Sequence, residues 1–96
     1  MSDQERALVV RVTGTVQGVG YRAWAQREAR RLGIRGWVAN HGAGHVDAVF
    51  VGSGDKLAEL VALCRKGPFA AKVDHVDARS AERGAAEEPP PGAMLF

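Results

Sequence analysis

Ninety-six residues leave material for one core, so a single domain over residues 1–96 is predicted and a large cofactor-enclosing architecture is excluded. With 46% hydrophobic and 25% charged residues the chain is composed like an ordinary globular fold, and no apolar run approaches the roughly 20 residues a membrane-spanning helix needs. The net charge of +2 conceals an asymmetry: residues 1–40 hold seven Lys/Arg against three Asp/Glu, a bias that suits an anionic partner, from a phosphate group to a nucleic acid.

The polar residues 1–6 read as a flexible terminus without the apolar core of a signal peptide. Ala7–Thr13 is rich in β-branched types and places Leu8, Val10 and Val12 on one face of a first strand. A glycine-rich turn, Gly14–Gly20, leads into a helix over about Arg22–Leu32, with Ala25, Ala29 and Leu32 on one stripe and Gly33 as its stop. Gln26, Arg27, Arg30 and Arg31 fall off that stripe, so most of the basic surplus is solvated helix surface. Ile34–Asn40 and His45–Val51 alternate as two strands joined by His41-Gly-Ala-Gly44, a loop of hairpin length. Ile34, Gly36 and Val38 oppose Arg35, Trp37 and Ala39; Val46, Ala48 and Phe50 oppose Asp47, Val49 and Val51.

Ser53 or Asp55 caps a second helix whose stripe is Leu57, Leu60, Val61 and Cys64, and Gly67-Pro68 ends it. Val73–Arg79 is a fourth strand in which Val73 and Val76 break strict alternation, which predicts a bulge. Residues 80–92 have the composition of a mobile loop, and Ala93–Phe96 fits a short fifth strand. The order β-α-β-β-α-β predicts an α+β, ferredoxin-like sandwich: an antiparallel sheet with two helices on one face.

Chemistry concentrates in Gly14-Thr-Val-Gln-Gly-Val-Gly-Tyr-Arg22, between a strand and a helix. Its glycines let successive N–H groups of Val16, Gln17, Gly18, Val19 and Gly20 converge at a helix amino terminus, a cradle for an oxyanion. Arg22 adds a planar fork of donors matched to two phosphate oxygens. Spacing alone fits equally well a tight turn followed by an exposed arginine. Gly18-Val-Gly-Tyr-Arg-Ala23 also fits a dinucleotide-binding pattern, but the next strand ends in Asn40 with no acid to hold a ribose. A helix of about 11 residues travels about 16 Å out and a seven-residue strand roughly 20 Å back, so Asn40 returns to the level of Arg22 if the strands are parallel. Asparagine can orient a water or a substrate oxygen but cannot serve as a base; a turn residue at a strand end is the plainer reading.

Gly14-x-Val16-Gln17-Gly18-Val19-x-Tyr21-Arg22 and Gly36-Trp37-Val38-x-Asn40-x-x-x-Gly44-x-Val46 resemble the two signature stretches of the acylphosphatases, in the right order and separation. The likeness runs over residues 7–79 and includes Cys64-Arg-Lys-Gly-Pro68 and Val73-Asp-His-Val76. It implies hydrolysis of small acyl phosphates to carboxylate and inorganic phosphate in a ferredoxin-like domain, without a metal or other cofactor. The family's phosphate-binding arginine falls on Arg22, its water-orienting asparagine on Asn40 and its phosphate loop on residues 16–20. Two departures stand out: Ala43 replaces the usual polar residue before Gly44, and Pro89-Pro-Pro-Gly-Ala-Met-Leu-Phe96 matches the family poorly.

His41, His45 and His75 have neither a cysteine partner nor helical i, i+4 spacing, so no metal site is expected of them, and His41 reads as an exposed loop residue. Cys64 reads as a core residue, its lone thiol fitting a reducing compartment, and a cytoplasmic monomer is expected. An RNA-recognition domain shares the element order but needs aromatic residues on the first and third strands, where this chain has Phe50 alone, beside Asp47. No nucleic-acid or membrane partner is therefore expected. The other reading kept open is a non-catalytic domain of the same type that binds phosphate or carbamoyl phosphate.

Overall fold

β-branched residues favour an extended chain, and the first element is a long strand, β1 (Glu5–Thr15). The computed structural model describes residues 4–96. Of the terminus read as flexible, residues 1–3 lie outside that range, whereas Glu5 and Arg6 pair with Ser53 and Gly52. There follow α1 (Tyr21–Arg31), β2 (Arg35–Asn40), β3 (Val46–Ser53), α2 (Gly54–Lys66), β4 (Lys72–Ser80) and β5 (Met94–Leu95). The sheet order is β4-β1-β3-β2-β5 with antiparallel neighbours throughout. This is the ferredoxin-like arrangement with a fifth strand added at one edge. Because β1 and β2 both run antiparallel to β3, they are parallel to each other and α1 is the crossover between them.

Alternation along the strands makes two cores. Val10, Val12, Val38, Val46, Ala48 and Phe50 join Ala25 and Ala29 of α1 and Leu57, Leu60 and Cys64 of α2 in one buried cluster. On the opposite face, Ala7, Trp37, Ala39, Val49 and Val51 form a second. That face is partly covered from within residues 80–92, where Arg83–Glu87 forms a 3-10 turn. Ala81, Ala85 and Ala86 pack against it, and Trp37 Nε1 donates to Ala85 O at 3.0 Å. The indole thus buries its ring while keeping a hydrogen bond.

Two local features follow the sequence pattern. Ser53, rather than Asp55, caps α2: its Oγ accepts from Lys56 N at 3.4 Å. Between β1 and β4 the register steps from Thr13↔His75 to Gly14↔Val73, so Asp74 is the extra residue of a bulge. The bulge lets both Val73 and Val76 reach the helix-side core. The largest boundary difference is β1, which continues past this bulge to Thr15 and delivers the chain directly to the glycine-rich turn.

Candidate active site

Gly18 and Gly20 take φ values of 75° and 80°, a left-handed region that favours glycine, and Gly20 is the N-cap of α1. No side chain caps α1 and no acidic residue occupies its first turn. The helical ladder begins with Trp24 N donating to Gly20 O at 3.0 Å, so the N–H groups of Tyr21, Arg22 and Ala23 stand ahead of it. Together with the helix dipole they present a positive end to any anion in the turn. The Tyr21 hydroxyl anchors this end by donating to Cys64 O at 2.7 Å, and burial raises the phenol's pKa, so the ring stays neutral.

Arg22 follows in the first turn, half-buried, with Nη1 at 3.4 Å from Gly92 O. Among the described residues no carboxylate pairs with it, unlike Arg11, Arg31, Arg35 and Arg79. Asn40 ends β2 opposite Val46 and is exposed. The fold brings these pieces to one cavity of about 170 Å³, where Gly18, Gly20, Arg22, Asn40 and Met94 meet over the buried Val16 and Tyr21. Gln17 and Val19 do not line it. Val19 packs against the core, whereas Gln17 Nε2 donates to His41 O at 2.7 Å and His45 O at 3.0 Å. Gln17 thereby ties the loop that would hold the anion to the hairpin that carries Asn40.

A family model described as Acylphosphatase matches residues 8–88. The chain belongs to the acylphosphatase family. An acylphosphatase of Nitrobacter hamburgensis is 53% identical over 77 residues, which span 80% of this chain and 76% of that one. One from Rhizobium etli is 42% identical over 82 residues, 85% of this chain and 87% of the relative. The solved structure of an acylphosphatase from Coxiella burnetii superposes with a TM-score of 0.79 at 33% identity, covering 81% and 82% of the two chains. The enzyme is accordingly a hydrolase of the acylphosphatase type.

A larger depression, about 340 Å³, lies elsewhere on this acylphosphatase, between Val9, Arg11, Trp37, Asp47, Asp77 and Arg79. Its cations are already committed, Arg11 to Asp47 at 3.1 Å and Arg79 to Asp77 at 3.0 Å. The smaller cavity, by contrast, holds a guanidinium with no carboxylate partner among the described residues.

The hairpin also assembles what spacing did not suggest. The ligand atoms of His41, His45 and Asp47 lie within 4.8 Å of one another, and the two imidazoles stack with centroids 4.2 Å apart. The turn brings His41 back over His45, and the two-residue strand period puts Asp47 on the same side as His45. Internal partners engage the group: Ala43 N donates to His41 Nδ1 at 3.0 Å. Asp47 accepts from Arg11 Nε at 3.1 Å and stands 3.3 Å from His45 Nε2. A metal there would have to displace these contacts. His75 sits on β4 opposite Thr13, away from the group.

Cys64 is fully buried, and burial pushes its thiol up to about 11, which suits a core residue and not a nucleophile. Sequence reasoning missed Met94, which lines the cavity, and Gly92, whose carbonyl faces Arg22, because neither belongs to a recognisable motif. A signal existed in Pro91-Gly92, a turn pair that folds the chain back toward the sheet.

Proposed function

We propose that the enzyme hydrolyses the carboxyl–phosphate bond of small acyl phosphates such as acetyl phosphate, releasing a carboxylate and inorganic phosphate. Backbone N–H groups of the loop where it lines the cavity, at Val16, Gly18 and Gly20, and of the first turn of α1 bind the phosphoryl oxygens, and the Arg22 guanidinium grips two of them. Asn40 accepts a hydrogen bond from a water and holds it in line with the bond to the leaving carboxylate. As that bond breaks, its electron pair leaves with the carboxylate, a good leaving group that needs no strong acid. The water oxygen bonds to phosphorus, and a phosphoryl oxygen takes its proton. Charge developing on the equatorial oxygens meets donors already in place, which is the source of the rate enhancement.

The observation that carries this reading is the meeting of Arg22, Asn40 and two left-handed glycines in one cavity, from elements separated by a full helix and strand. The form proposed is a monomer, and the single, buried cysteine supports a cytoplasmic location. No described helix is long and apolar enough to cross a membrane.

The test is hydrolysis of benzoyl phosphate with and without EDTA. Equal turnover in both supports the reading. Loss of turnover with chelator contradicts a mechanism carried by Arg22, Asn40 and backbone donors without a metal, and a folded protein that binds phosphate without turnover is a binding domain.

A further inference from the structure

The edge strand β5 gives the cavity a wall that the phosphate chemistry does not use. Val38 pairs with Met94 and Trp37 with Leu95. In this antiparallel register Met94 shares the helix-side face with Val38, and both belong to the cluster beneath α1. Leu95 turns to the other face and is exposed. The strand is fixed from both sides. Gln26 Nε2 donates to Leu95 O at 2.7 Å from α1, and Gly36 and Phe96 exchange backbone hydrogen bonds at 3.1 Å from β2. The approach is fixed too: Ala93 N donates to Pro90 O at 3.2 Å across Pro91-Gly92, with Gly92 at φ 83°, the residue pattern of a type II turn.

These contacts hold Met94 in the lining it shares with Arg22 and Asn40. Val16 and Tyr21 are almost wholly buried, whereas Met94 and Ala23 are half-exposed. These two are the partly exposed apolar residues that the cavity offers beside its polar donors. Resting on the acylphosphatase reading above, we propose that Met94 forms the acyl-side wall of the site and favours acyl phosphates with an apolar acyl group, aryl above all. The flexible thioether suits such a surface, since it adapts to shape and makes favourable contacts with aromatic edges.

The test compares kcat/KM for benzoyl phosphate and acetyl phosphate in wild type, Met94→Leu and Met94→Gln, with inhibition by inorganic phosphate measured alongside. Gln keeps the length of the side chain but ends in an amide. The benzoyl-to-acetyl ratio should fall about tenfold in Met94→Gln, stay within about twofold in Met94→Leu, and leave inhibition by phosphate unchanged in both. An unchanged ratio in Met94→Gln, or an equal loss on both substrates, overturns the wall while leaving the hydrolase reading intact. A folded wild type that hydrolyses neither substrate overturns that reading, and the wall with it.

Discussion

Replacing Gln17 with alanine separates the stability of the site from its alignment. The side chain makes two hydrogen bonds, at 2.7 and 3.0 Å, to the carbonyls of His41 and His45. Both carbonyls keep another donor when it is removed: Gly44 N reaches His41 O at 2.9 Å and His41 N reaches His45 O at 2.9 Å. Neither is orphaned, so the loss is two net hydrogen bonds at about 1 kcal/mol each, or about 2 kcal/mol in all. For a domain of this size that lowers Tm by about 8–16 °C. Catalysis should suffer differently. Arg22 and the first turn stay fixed to α1, so phosphate inhibition should change by less than about threefold. Asn40, no longer tied to the loop, drifts, and a displacement of about 1 Å can cost about 100-fold in rate. The expected result is a fall in kcat of about 10- to 100-fold, measured on benzoyl phosphate well below the variant's Tm. A variant with the calculated Tm loss and kcat within about twofold of wild type would show that Gln17 is a structural brace only.

Arg22→Lys should raise the inhibition constant for phosphate and lower kcat/KM by at least about tenfold, because an ammonium offers a point charge where the guanidinium offers a fork; full activity in the lysine variant would refute bidentate binding. Asn40→Ala should lower kcat while inorganic phosphate still binds with near-normal affinity, and near-normal turnover would remove the water-orienting role. Acid should weaken the fold through two surface carboxylates. Hydrogen bonding to Arg35 holds Glu5 below its ordinary value, and Arg79 does the same for Asp77. Each folded pKa lies below the unfolded one, so the stabilisation is present above the ordinary carboxylate range and is lost as pH falls through the lowered values. Urea midpoints followed from about pH 6 to about pH 3 should fall less steeply in Glu5→Gln and Asp77→Asn, and identical slopes would rule these pairs out as contributors.

Alternation and helical spacing made most of the fold legible, because each inward residue of β1, β2 and β3 is dictated by a period of two. The approach of Arg22 and Asn40 was also legible, since the lengths of α1 and β2 nearly cancel. What eluded sequence reasoning depends on which strand pairs with which. Nothing in Ala93–Phe96 says that it joins the outer edge of β2, so its contribution of Met94 to the cavity was invisible. Nor does the alanine content of residues 81–86 announce that they cover Trp37, because small residues carry no amphipathic signal. The stacking of His41 on His45 is set by the turn that returns the hairpin, which residue spacing does not encode.

The resting contact of Arg22 bears on how the site can be both ordered and open. A guanidinium with no partner at a cavity rim would sample many rotamers, and fixing it on binding would cost entropy. The Gly92 carbonyl limits that freedom, yet at 3.4 Å it is a long, neutral acceptor. In the proposed complex a phosphoryl group would replace it with charged oxygens, and charge-assisted hydrogen bonds are roughly twice as strong as neutral ones. Exchange therefore favours the substrate while most of the ordering is already in place. The type II turn at Pro91-Gly92 keeps this acceptor beside Arg22, so in the proposed reaction the carboxyl-terminal segment would act on phosphate binding through Gly92 and on the acyl group through Met94. Two contacts, one from this turn and one from the strand it leads into, would thus reach both halves of the substrate without supplying a reacting group.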